Sequence, residues 1–195
     1  RVLSALLAGI LLLTLLTFSA TPTLHARPLT EEDVLPPTHV IANHVVISEV
    51  QIAGSAANHE FVELYNPTGS PVDLAGWRLA RRTAAATSDT DLISSFPSGK
   101  TIPAWGFFLI AHQDYATITP IADLTYNASA LAGGNSALLY RPNGSGGWIL
   151  VDLVGWGAAQ TVEVSPYPQD PTANRSIERK AFLNSTVQNL VNGGV

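Results

Sequence analysis

From Asn43 onward, short apolar runs alternate with turn-forming residues at intervals of roughly ten, a pattern that predicts strands. No stretch keeps a 3.6-residue period long enough to predict a major helix. The first strand is expected over Val45–Ile52 and the second over His59–Asn66, where Phe61, Leu64 and Tyr65 are apolar and Glu60 and Glu63 are not. Asn66–Pro71 reads as a turn, since proline fixes φ and glycine tolerates left-handed angles. Val72–Leu74 and Trp77–Ala80 follow as short strands, and Ala84–Leu92, small and polar, as an exposed loop. Ile93–Phe96 precedes a Pro97–Lys100 turn, and Trp105–Ala111 is a strongly apolar strand. Ala137–Tyr140 and Trp148–Val151 form a hairpin around Arg141–Gly147, and Asp152–Gly157 carries Val154 and Trp156 onward. Thr161–Asn174 is proline-rich and irregular, and Ser176–Arg179 closes the pattern. The fold class is therefore all-β.

The N-terminus has a different texture. Val2–Phe18 is apolar with few breaks, Arg1 gives a positive flank, and small residues follow at Ser19–Thr21. That order describes a secretory signal peptide over residues 1–26, with cleavage near Ala20 or after Ala26. The alternative is an uncleaved N-terminal anchor, for which the run is slightly short. Residues 27–42 form a linker with Pro28, Pro36, Pro37 and the acidic Glu31-Glu32-Asp33. The β-domain is expected over 43–182 and a tail over 183–195.

Composition narrows the function classes. Of the 195 residues, 46% are hydrophobic and 13% charged, enough to fill a core and too apolar for a disordered chain. The formal net charge of -5 leaves no basic footprint for nucleic acid. The close basic residues Arg78, Arg81 and Arg82 read as solvated surface. With no cysteine in the chain, disulfides, thiolate metal sites, cysteine nucleophiles and a lipoprotein anchor are excluded. An exported chain without cysteine fits a bacterial source.

Several segments together carry a family likeness. Val46-Ile47-Ser48-Glu49-Val50 is followed by Glu60-Phe61-Val62-Glu63-Leu64-Tyr65-Asn66-Pro67 and by Val72-Asp73-Leu74-Ala75-Gly76-Trp77-Arg78-Leu79. Later come Ile102-Pro103-Ala104-Trp105-Gly106-Phe107-Phe108-Leu109-Ile110, Asn135–Tyr140, Val151-Asp152-Leu153-Val154-Gly155-Trp156-Gly157 and Ser176-Ile177-Glu178-Arg179-Lys180. In this order, from about Val45 to Lys180, the pieces resemble the bacterial lamin-tail domain. The resemblance implies an Ig-like antiparallel β-sandwich without a disulfide. It implies protein contacts or an extracellular module, alone or beside a secreted hydrolase. It does not imply filaments, because no heptads occur. Function still has to be argued from a site.

Carboxylates are the first candidates. Glu49, Glu63 and Asp152 would hold a structural Ca²⁺ if they converged, with carbonyls or Asn66 completing the oxygen ligands. The competing readings put these acids on the solvent face of half-buried strands, or in hydrogen bonds to backbone amides or to Arg179. His25, His39, His44, His59 and His112 lack zinc-ligand spacing. No Gly-x-Ser-x-Gly elbow occurs, and Gly144-Ser145-Gly146 lies in a hairpin turn. Glu60 and Glu63 are a formal pair for sugar hydrolysis with no sign of a cleft between them. Trp77, Trp105, Trp148 and Trp156 read as core anchors rather than a sugar platform. The Asn-x-Ser/Thr sites at Asn127, Asn143, Asn174 and Asn184 read as surface loops.

These observations lead to the expectation of a non-catalytic, secreted or cell-surface binding module. Its partner would be a protein, an envelope polymer or a nucleic acid, the last without support from charge. Contact with a membrane would come only through an uncleaved N-terminal segment. The loops Ala84–Leu92, Tyr115–Gly134 and Gly157–Asn174 are the expected contact surfaces. The alternatives are an accessory domain of a larger secreted hydrolase or nuclease, and a Ca²⁺-steadied envelope module.

Overall fold

A computed structural model describes residues 42–115, 121–127 and 130–179. The expected signal peptide and tail, and nearly all of the linker, lie outside the described residues.

The strands, in chain order, are β1 (Val46–Gln51), β2 (Phe61–Tyr65), β3 (Val72–Asp73), β4 (Arg78–Thr83), β5 (Thr90–Ile93) and β6 (Thr101–Ile102). They continue with β7 (Phe107–His112), β8 (Leu124–Tyr126), β9 (Asn135–Pro142), β10 (Trp148–Gly155) and β11 (Ser176–Glu178). One sheet has the order β11-β1-β2-β7-β8, the second β10-β9-β4-β5, and β3 and β6 form a small ribbon. Among the described residues there is no α-helix, and no helix is long and apolar enough to cross a membrane.

Alternation explains why these residues form a sandwich. In β2, Val62 and Leu64 enter the core, while Phe61 and Glu63 are half-buried on the other face, where Tyr65 is buried against Val46. Phe108 and Ile110 do the same in β7, and Leu79 and Leu139 meet them from the second sheet. Phe96, Ile102, Leu74 and Trp156 seal the core with their side chains almost wholly buried. A bulge between Ile47 and Glu49 inserts Ser48, which bends β1 and turns Ser48 toward Glu63.

Several segments differ from the sequence expectation. Thr90–Ile93 is a strand paired with β4, so the loop after β4 is shorter than Ala84–Leu92. Its polar residues are there because β5 is an edge strand whose Asp91 answers Arg78. Trp105 is not in a strand. It occupies a turn before β7 with φ of 56°, half-buried, with its ring against Gly69. β9 runs longer than expected, from Asn135 to Pro142, which shortens the connection, while β10 begins at Trp148 as expected and continues to Gly155. The two-residue strands β3 and β6 and the three-residue β8 are too short to leave a periodic signal, and β6 and β8 have no counterpart in the expectation. β8 runs parallel to β7, an exception in an otherwise antiparallel fold.

Candidate functional site

Among the described residues, the three carboxylates considered for Ca²⁺ form no metal-holding group: Glu49 and Glu63 face each other, and Asp152 is engaged elsewhere. Asp152 lies on β10 where the two sheets meet. Its Oδ2 accepts the Ile47 N–H at 2.6 Å, and Arg179 Nη2 donates to both of its oxygens at 2.6 and 2.7 Å. Burial pushes the Asp152 carboxyl above its ordinary range, while the Arg179 charge and the Ile47 amide pull it back.

Glu49 and Glu63 stand directly opposite each other on β1 and β2, and Glu178 stands opposite Glu49 on β11. The register therefore makes a row of carboxylates across the outer face of the first sheet. Burial raises the pKa of Glu49, and the neighbouring Glu178 charge adds to it. Burial likewise raises that of Glu63, eased by the Ser48 hydroxyl, which donates to Oε1 at 2.7 Å. Among the described residues, no group of three or more His, Asp or Glu side chains has metal-holding geometry.

Glu60 goes elsewhere. Its side chain is fully buried at one end of the sandwich, where Tyr126 Oη donates to Oε1 at 2.7 Å and Leu131 N–H to Oε2 at 2.8 Å. Burial drives its pKa up to about 7, against those two hydrogen bonds and the charge of Arg81. Glu60 and Glu63 thus do not share a cleft, and the glycosidase pairing has no geometric basis in the described residues.

The histidines are dispersed. His59 stacks on Tyr115 at 4.5 Å between ring centroids, and buried His112 meets the edge of Tyr126 at 5.5 Å. His44 is exposed, and His25 and His39 lie outside the described residues. Ser145 sits in the exposed hairpin, where its amide donates to Asn143 Oδ1.

Described parts of the loops expected as contact surfaces meet at one end. Thr83 pairs with Asn135 there, and Arg82 reaches Thr161 Oγ1 at 3.2 Å. Gly134 N–H donates to Asp170 Oδ1 at 2.7 Å, and Trp156 Nε1–H donates to the Ala132 carbonyl at 2.8 Å. These ties hold the loops to each other and to the core.

The opposite end is different. There the β9–β10 hairpin carries Trp148, Ile149 and Leu150, which are 42%, 38% and 44% exposed. Trp148 is therefore no core anchor, unlike Trp77 and Trp156. The Arg78 guanidinium lies 5.0 Å from the Tyr140 ring and 6.0 Å from the Trp148 ring. Asp91 and Asp89 hold Arg78 from the other side, and Asp89 also binds Arg82 and accepts the Tyr140 hydroxyl at 2.6 Å. Sequence reasoning missed this cluster because Trp148-Ile149-Leu150-Val151 is continuously apolar, which reads as a buried strand. The Arg141–Gly147 hairpin signal was the one hint that the run stands at a free end.

The comparisons with known proteins agree with this architecture. The family model described as Lamin Tail Domain matches residues 41–158, from just before β1 to just past Trp156. A search of the curated proteins finds no match.

Proposed function

The chain belongs to the Lamin Tail Domain family, and from that premise we propose that it is a non-catalytic interaction module, exported from the cell, that binds protein. One observation carries this reading. The exposed apolar run Trp148-Ile149-Leu150 stands on the paired β9–β10 hairpin, beside an Arg78–Tyr140 stack held by Asp89 and Asp91. Tryptophan, tyrosine and arginine are the residue types that dominate protein interfaces when clustered and pre-ordered. The titratable groups support the same reading. Asp152 is committed to Arg179, Glu60 to Tyr126 and Leu131, and Asp89 to Arg78 and Arg82, each a tie within the fold.

Nucleic acid is the weaker partner class. The net charge is -5, and Arg78 and Arg82 are already neutralised by aspartates.

The test compares the protein with its Trp148→Ala/Leu150→Ser variant for retention on cell-envelope and secreted-protein fractions. Retention should fall by about tenfold or more in the variant, as for loss of a central interface residue, with an unchanged thermal melt. Equal retention of both proteins, or hydrolysis of nucleic acid or phosphoesters above a blank, would overturn the reading.

A further inference from the structure

β10 is the last strand of the second sheet, paired with β9 on one side only. Its second half is occupied where Asp152 takes the Ile47 N–H, so the open stretch is Trp148–Val151. The phase of the hydrogen bonds along that stretch is fixed. Asn143 N–H donates to the Gly147 carbonyl, and Trp148 faces Pro142, which has no N–H to give. Alternation along an antiparallel pair then turns the N–H and C=O of Trp148 and Leu150 away from β9, toward the open side.

Resting on the interaction reading above, we propose that this edge pairs with the same edge of a second copy of the chain. The two strands run antiparallel about a twofold axis at Ile149. In that register Trp148 of each copy lies opposite Leu150 of the other, and all the outward donors and acceptors of these residues find partners. Ile149 meets its own mate in a non-hydrogen-bonded position, where side chains approach most closely. The pattern is self-complementary, as a twofold interface requires.

Charge agrees. The stretch from Trp148 to Val151 carries no ionisable side chain. The nearest cation on the Ile149 face, Arg141, would be about 14 Å from its mate across three strand spacings of ~4.8 Å, beyond a screening length of about 10 Å. The other edges are protected in the usual ways. β5 carries Asp91, β11 is three residues long and ends at Glu178, and β8 is three residues long and follows Asp123. Among the described edges only the Trp148–Val151 stretch of β10 is both wholly apolar and uncharged. Its apolar contact is small beside the ~1,200 Å² of a stable interface, so the dimer is concentration-dependent. Because each copy carries a net charge of -5, added salt strengthens the pairing by screening repulsion.

The absence of cysteine from the chain makes a direct test available. Ile149→Cys in the full chain should form a disulfide-linked dimer under mild oxidation. Arg141→Cys, whose mate is too distant to bridge, should stay monomeric. Leu150→Lys should shift sedimentation of the otherwise unchanged chain to monomer, with its circular dichroism melt recorded to show that it folds. Equal cross-linking of the two cysteine variants, or none in either, would overturn the pairing. If Ile149→Cys stays monomeric while Trp148→Ala/Leu150→Ser still loses envelope retention, self-pairing is excluded and the interaction reading survives. If neither effect is seen, both fall.

Discussion

Asp152 on β10 and Arg179 just past β11 clasp the two sheets together through a buried ion pair, the guanidinium reaching both carboxylate oxygens at 2.6 and 2.7 Å. Arg179 also donates through Nε to the Ile47 carbonyl at 2.8 Å, and its own amide donates to the Ser48 carbonyl at 2.9 Å. Both side chains are almost fully buried, Arg179 at 7% and Asp152 at 4% exposure. Removing one partner strands the other charge out of water, which costs on the order of 3–5 kcal/mol for a buried pair. Asp152→Asn and Arg179→Met should each lower the unfolding free energy obtained from urea titration by that amount. The double variant Asp152→Asn/Arg179→Met should lose less than the sum of the two. A strictly additive double variant would show that the two side chains act independently.

Glu60 makes the fold's stability depend on pH. Its folded pKa, about 7, lies above the ordinary value of 4.5, so the folded state holds the proton more tightly than the unfolded chain. The stabilisation is complete below about pH 4.5 and is lost as pH rises toward 7. Glu60→Gln keeps an acceptor for the Leu131 amide and a donor for the Tyr126 oxygen while removing the charge. The variant should therefore be more stable than the parent at pH 8, by on the order of 2 kcal/mol, and about equal to it at pH 4. Chemical denaturation across this range measures the difference. A parent and variant that differ equally at both ends would exclude Glu60 as the titrating group.

Gly157 is the point at which the long loop after β10 is tied down. Its φ is +57°, and a β-carbon there would run into Asp170 Oδ1. The same oxygen accepts the Gly134 amide at 2.7 Å, so a side chain at 157 would push Asp170 off that partner. Gly157→Ala should cost about 1–3 kcal/mol from backbone strain alone and should speed amide exchange at Gly134. Asp170→Ala should speed the same exchange with a smaller loss of stability. Unchanged exchange at Gly134 in both variants would show that the contact does not hold the loop.

Much of the architecture was legible because strands covered on one face alternate, and alternation survives in the sequence. Val62 and Leu64 against Glu63 announce their faces without any tertiary knowledge, whereas the Val45–Ile52 run changes phase at the bulge after Ile47. The site was less legible. A carboxylate in a strand reads the same whether it points at solvent, at a cation or at a distant arginine. Asp152 and Arg179 are 27 positions apart, and only the fold brings them together. Glu49, Glu63 and Glu178 form a row only once the register of β2, β1 and β11 is known. Trp148 was misread for the opposite reason: an apolar run is ambiguous between a buried strand and an exposed edge, and its exposure depends on where the second sheet stops.

That carboxylate row supplies the last prediction. Like charges directly opposite on neighbouring strands are destabilising, and burial, with repulsion from Glu178 at Glu49 and from Glu49 and Glu178 at Glu63, holds both above their ordinary pKa. Glu49→Gln removes the central charge of the row while its amide can still bond Ser176. The variant should melt higher at pH 8 and low salt, by about 0.5–1 kcal/mol of stability, the range for a cross-strand pair. The gain should shrink in high salt and vanish near pH 4, where the carboxylates take up protons. A cation bound across the row would reverse the sign, because Glu49→Gln would then remove a ligand. Thermal melts of both proteins with and without Ca²⁺ separate the two cases. A parent that Ca²⁺ stabilises, beside a variant that it does not, would replace repulsion with coordination as the account of these residues.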